Sequence, residues 1–140
     1  MPNEDWFEIP LEKLLPWNPF DHVVWHLDVT EPITIEEVEE AVSEECIRPE
    51  PIEHRKFFED PSPCARKDHI ARIAWFVMHG WDDPIDIDTG SPEFGFCADW
   101  PIEDGNHRLA AAFFRRENTI KAFVWGTDAE ELFGLTFPEK

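Results

Sequence analysis

The stretch "WPIEDGNHRLAAAFFRRENTIKAFVWG", residues 100–126, decides the fold. Residues 100–104 read as a strand ending in Asp104-Gly105-Asn106-His107-Arg108, a tight turn into a helix. The helix runs over 106–117 and is ended by Asn118, and "TIKAFVW" (119–125) follows as a second strand. Gly105 allows a sharp turn and close approach of a ligand to the backbone. The amides of residues 106–108 lie at a helix N-terminus, whose partial positive charge suits phosphate. Arg108 adds a planar fork for phosphate oxygens, and His107 donates to them or titrates near neutrality. Ala110, Ala111 and Ala112 keep the helix narrow enough to sit close to a sheet. A plainer reading stands beside this one: the turn is a helix cap whose His and Arg pair with nearby carboxylates.

Outward from this stretch, "ARKDHIARIAWFVMHG" (65–80) is a helix, with Ile70, Ile73, Ala74, Val77 and Met78 on its apolar stripe and Gly80 as its C-terminal cap. "PIDID" (84–88) is a short strand, and 89–99 a turn-rich hairpin connection to the strand at 100–104. "FEIPLEKLLPWNPF" (7–20) reads as a strand, a turn and a proline-rich loop. "HVVWHLDV" (22–29) alternates, placing Val23, Trp25, Leu27 and Val29 on one face of a strand. In "TIEEVEEAVSEECI" (34–47), Thr34 and Glu37 form a capping box. The helix it opens carries Val38, Ala41/Val42 and Cys46 or Glu45 on its apolar side, and Pro49 marks its end. Residues 48–63 read as a loop, and "TDAEELFG" (127–134) as a short helix. The mixture of helices with antiparallel pairing gives an α+β fold.

This order resembles the ParB/sulfiredoxin superfamily. The pieces that carry the resemblance are the helix followed by Gly80 to Ile85, then the hairpin, the box Asp104-Gly105-Asn106-His107-Arg108-Leu109-Ala110-Ala111, and Thr119-Ile120. "IPLEKLLPWNP" (9–19) is also similar to the opening of many ParB-like domains. The resemblance implies a ParB/sulfiredoxin-like fold, a small mixed sheet flanked by helices. The whole chain, 1–140, is then one domain with an acidic insertion at about 21–60. It implies a nucleotide, ATP or CTP, held at Asp104, Gly105, Asn106, His107 and Arg108, and leaves hydrolysis open. Mg²⁺ beside that nucleotide would use Asp86, Asp88 or Asp104, residues whose plainer reading is solvent-facing positions on strands.

Two departures narrow the implied activity. Sulfiredoxins carry a catalytic cysteine before the His-Arg pair, where this chain has Asn106, so sulfinic acid repair is excluded. The chain also has no helix-turn-helix region after the core, so centromere reading and a dimeric clamp are not implied. No catalytic residue is assigned. His22 and His26 have an H-x-x-x-H spacing, but on a strand they stand about 13 Å apart and make a poor zinc pair.

Charge bears on partners. The net charge is −19, and residues 1–65 hold seventeen Asp/Glu against four Lys/Arg. Such a surface repels nucleic acid phosphates, so direct DNA binding is not expected, while a basic protein is a suitable partner. The helix at 34–47 carries Glu36, Glu37, Glu39, Glu40, Glu44 and Glu45, either a solvated face or an acidic docking surface. The 42% hydrophobic content, with twelve Phe and seven Trp, supports a packed core. Three dispersed cysteines point to free thiols in a reducing cytoplasm. No apolar run reaches the roughly 18 residues that span a bilayer. Two functions compete on these grounds: a nucleotide- or phosphate-binding protein, and a non-enzymatic acidic protein of phage or plasmid type that blocks a basic or DNA-binding partner.

Overall fold

A computed structural model describes residues 6–25, 29–50, 66–91, 96–97 and 100–125. The readings for 127–134 and for most of the loop at 48–63 lie outside these residues. The strands are β1 (Phe7–Pro10), β2 (Ile85–Asp88), β3 (Gly90–Ser91), β4 (Phe96–Cys97), β5 (Ile102–Asp104) and β6 (Thr119–Trp125). The helices are α1 (Ile35–Glu44), α2 (Arg66–His79) and α3 (Asn106–Arg115). The architecture is α+β, with a four-stranded sheet ordered β1-β6-β2-β5 and a small β3-β4 ribbon. The sheet is mixed: β6 pairs antiparallel with β1 and parallel with β2, and β2 pairs antiparallel with β5.

Alternation builds the first core. Ile120, Ala122 and Val124 on β6, and Ile85 and Ile87 on β2, are buried on one face, as the two-residue period of a strand requires. They pack with Ile9, Leu11 and Leu14 from the N-terminal segment and with Leu109 and Ala112 of α3. The other side of α3 presents Ala110 and Ala111 to a second core, made with Ile73 of α2, Val38 of α1, and Trp25, Val29 and Ile33. Residues 109–112 are thus fully buried, two facing the sheet and two facing the helices. Interiors pack at crystal-like density, so only small side chains admit such a sandwich. The alanine run serves the α2 layer as well as the sheet.

Gly105 is where α3 meets β2. Its φ is +104°, and a Cβ there would lie 2.7 Å from Cβ of Ile85. Neither the backbone conformation nor the space tolerates a side chain.

Helix α1 opens on the expected capping box: Thr34 N donates to Glu37 Oε1 at 3.0 Å, and Glu37 N donates to Thr34 Oγ1 at 3.2 Å. Arg66, at the start of α2, ties this cap to its neighbour. Its Nε donates to Glu37 Oε2 at 2.8 Å, and its two other nitrogens donate to the carbonyls of Glu31 and Pro32. The Arg66 hydrogen bond is the main cause that lowers the Glu37 pKa from 4.5 to about 2. Farther along α2, Arg72 donates to the carbonyls of Arg48 and Pro49, and stacks over Phe76 at 4.3 Å. Burial lowers the Arg72 pKa, assisted by Arg108 and Arg48.

The structure corrects several readings. Residues 22–25 and 29 form no strand, and Val23 is exposed. Trp25 and Val29 pack in the helical core rather than on the sheet, and Val24 packs against the same core. The turn and loop expected after β1 are 3-10 turns at Leu11–Trp17 and Pro19–Asp21. Helix α3 ends at Arg115, because Arg116 takes the left-handed conformation (φ 58°) and Glu117 N bonds back to the Ala112 carbonyl. Helix α1 likewise ends at Glu44, with left-handed Glu45 (φ 55°), well before Pro49, and Cys46 is exposed. On α2, Met78 is exposed, and the buried inner side carries His69 with Ile73 and Ala74.

Two outcomes test this framework. Gly105→Val should lower unfolding stability by about 2–4 kcal/mol, combining left-handed strain with overpacking against Ile85, as read from urea denaturation. The Glu37 carboxylate, with its lowered pKa, contributes stability above pH 4.5 that is lost as pH falls toward 2. Since the pair is partly exposed, wild type should exceed Glu37→Gln by about 1 kcal/mol at pH 7. That gap should close across the same acidic window.

Candidate functional site

The polar side chains of the 104–108 turn each have a definite place. Asn106 accepts from Trp100 Nε1 at 2.8 Å and donates to the Ile102 carbonyl at 3.3 Å, which fixes the end of β5 against the start of α3. His22 packs edge-on against Trp100 and contacts the Pro16 carbonyl through Nε2 at 2.8 Å. His26 lies outside the described residues, so the H-x-x-x-H pair is not assembled from them.

Arg108 is turned toward the protein. Nη1 donates to the carbonyls of Asp83 (2.9 Å) and Pro84 (3.1 Å), and Nη2 reaches Asp104 Oδ2 at 3.5 Å. Only 12% of its side chain is exposed, against 73% for Asp104. Asp104 stands directly across from Asp86 in the β2–β5 pairing. Burial, then the charge of Asp104, pushes the Asp86 pKa up, and Arg108 opposes the rise. Asp86, Asp104 and Arg108 therefore form one local charge group at the mouth of the turn. Asp88 lies two residues farther along β2. Among the described residues no cluster of three or more His, Cys, Asp or Glu is arranged to hold a metal ion. Two carboxylates are enough for Mg²⁺ that also binds phosphate oxygens.

His107 points into the layer between α3 and α2. Its Nε2 lies 2.9 Å from Nδ1 of His69, and the two rings stack at 9° with centroids 5.2 Å apart. His69 is 1% exposed. The Trp25 indole covers both rings, at centroid distances of 5.1 and 4.8 Å. Its Nε1 is buried with no hydrogen-bond acceptor among the described residues. At the contact between the histidines, one nitrogen carries the hydrogen and the other accepts it. Two protonated rings would face N–H against N–H, so this geometry holds at most one extra proton between them.

Gly105 opens α3 in the left-handed conformation and, as the N-cap residue, supplies no side-chain hydrogen bond of its own. The amides of a helix's first turn have no carbonyl one turn earlier and take their acceptors from elsewhere. The cavity lined by Gly80, Trp81 and Arg115 and the one lined by Ala41, Ile70 and Ala71 do not include residues 104–108.

Of the five predicted residues, the structure brings Asp104, Gly105 and Arg108 together at the turn. Asn106 is directed toward Trp100, and His107 toward the helix layer. The sequence reading missed the His69–His107–Trp25 cluster. Its only trace is that His69 falls one turn before Ile73 on the inner side of α2. Comparisons with family models, with characterised proteins and with solved structures give no match to this chain.

The histidine pair predicts a particular coupling. His107→Leu alone should destabilise the fold by about 1–3 kcal/mol, because it removes a partner from a buried ring nitrogen of His69. Replacing both residues with Leu should cost less than the sum of the single changes. A double-mutant cycle in urea reads the difference, and strict additivity would show that the 2.9 Å contact contributes nothing.

Proposed function

We propose that this chain binds a phosphate-bearing ligand, with ATP and CTP as its candidates, at the N-terminus of α3. The framework for this proposal is a ParB/sulfiredoxin-like fold. The observation that carries the reading is the start of α3 at left-handed Gly105, buried against Ile85 and supplying no side-chain cap of its own. A phosphate oxygen is a suitable acceptor for the first-turn amides, and the helix dipole favours it. Arg108 supports the turn from beneath by holding the carbonyls of Asp83 and Pro84, and lends its charge through Asp104. The exposed Asp104 would repel a bare anion. The fit therefore improves when Mg²⁺ lies between Asp104, with Asp86 beside it, and the phosphates. The proposal is one of binding: His107 faces His69 and no group is assigned to activate water.

Calorimetric titration with ATP, CTP and ADP, with and without Mg²⁺, tests it. Binding should require or be strengthened by Mg²⁺, and Asp104→Asn should remove that dependence. Arg108→Ala should weaken binding indirectly, by releasing the Asp83 and Pro84 carbonyls that hold the turn in place. It should also lower the melting temperature, because three contacts inside the protein are lost. A natively melting wild type that binds none of the three nucleotides would reject the reading.

A second reading has its own observation. Glu36, Glu39, Glu40 and Glu44 are exposed on α1, and none has an ion-pair partner among the described residues. This favours an acidic surface for a basic protein, on a different side of the sequence from the α3 turn.

A further inference from the structure

We infer that the crease between α1 and α2 is the docking site for a basic amphipathic helix of a partner protein. The inference rests on the acidic-surface reading and is independent of the phosphate site. The crease has a volume of about 210 Å³. Its apolar floor is Ala41, Ile70 and Ala71, and Glu40 and Glu44 stand at its rim on the α1 side. Ala41 is buried, Ile70 and Ala71 are half-buried, and both glutamates are exposed.

The chemistry of the occupant follows from that lining. Glu36, Glu40 and Glu44 recur every fourth residue, so like charges face one another along α1. Such spacing destabilises an isolated helix and is relieved by cations laid alongside. Glu37, the remaining acid at the crease, is already held by Arg66, so the open positions are those of the stripe. Lys67 is the basic residue on the α2 side. An apolar floor beside a row of carboxylates matches a helix whose apolar residues enter the crease while its Lys or Arg residues flank them. With a net charge of −19, a second copy of this chain, a nucleic acid or an anionic membrane would be repelled.

The test is fluorescence anisotropy at physiological salt with three labelled helical peptides: Lys/Leu amphipathic, Lys/Ser of equal charge, and Glu/Leu. The Lys/Leu peptide should bind about tenfold more tightly than Lys/Ser, and Glu/Leu should not bind. Ala71→Leu fills the floor without changing charge and should weaken Lys/Leu binding by about tenfold with the melting temperature preserved. Glu40→Lys with Glu44→Lys should weaken it at least as much. Glu12→Lys with Asp82→Lys makes the same change in net charge at exposed positions elsewhere and should stay within about threefold. If both Lys peptides bind alike and Ala71→Leu changes nothing, or if the two charge-reversed variants weaken binding equally, the crease is overturned while a diffuse acidic surface stands. If neither Lys peptide binds, both the crease and the acidic-surface reading fall.

Discussion

A guanidinium that grips two successive carbonyls beside a proline recurs three times among the described residues. Arg66 holds Glu31 and Pro32, Arg72 holds Arg48 and Pro49, and Arg108 holds Asp83 and Pro84. Proline supplies no N–H and keeps its predecessor out of the helical region, so each X-Pro pair presents carbonyls outside helix and sheet ladders. A planar fork with five donors satisfies two such oxygens at once, which an ammonium does less well. In each case the arginine belongs to a helix and the carbonyls to a connection. The three contacts therefore fasten the approach to α1, the exit from α1 and the entry to β2 onto the helical layer. In so acidic a chain, the arginines serve the backbone as much as the carboxylates.

This arrangement changes what the Asp-Gly-Asn-His-Arg turn does. The sequence suggests outward side chains around a ligand. In the structure, Asn106, His107 and Arg108 each stabilise a different neighbour: β5, α2 and the turn before β2. The proposed ligand would therefore meet the backbone at the start of α3 and the carboxylate pair at its edge. The turn is thus a structural junction, and the proposed phosphate contact would use different atoms of the same residues.

The legible parts of the fold were those written in periodicity and in unusual residues. The runs PIDID and TIKAFVW, read as strands, are β2 and β6, the alanine run marked α3, Gly105 marked the sharp turn, and Thr34 with Glu37 marked the start of α1. Helix ends were less legible because Glu45 and Arg116 adopt left-handed conformations without the glycine that usually signals them. The 22–29 segment alternates like a strand, yet Trp25 and Val29 serve a helical layer, and periodicity alone does not name the partner surface. His69 was hidden because a polar letter on an apolar face draws attention only once its partner, 38 residues away, is known. The arginine–carbonyl contacts leave no mark except the prolines themselves.

The pairing of β1 with β6 has a consequence for the order in which the chain gains its structure. Phe7 lies opposite Ala122 and Ile9 opposite Ile120, so the sheet is closed by residues more than a hundred positions apart. Loop closure over such a distance loses entropy before any contact compensates. During N-to-C synthesis, Ile9, Leu11 and Leu14 emerge early but have no completed sheet until β6 arrives. The helical layer, by contrast, can assemble from α1 and α2 while β6 is still unmade, with Arg66 and Glu37 only 29 residues apart. In N-to-C order the α1–α2 contacts are thus available before those of α3 and β6, and the apolar N-terminal segment waits longest for its partner.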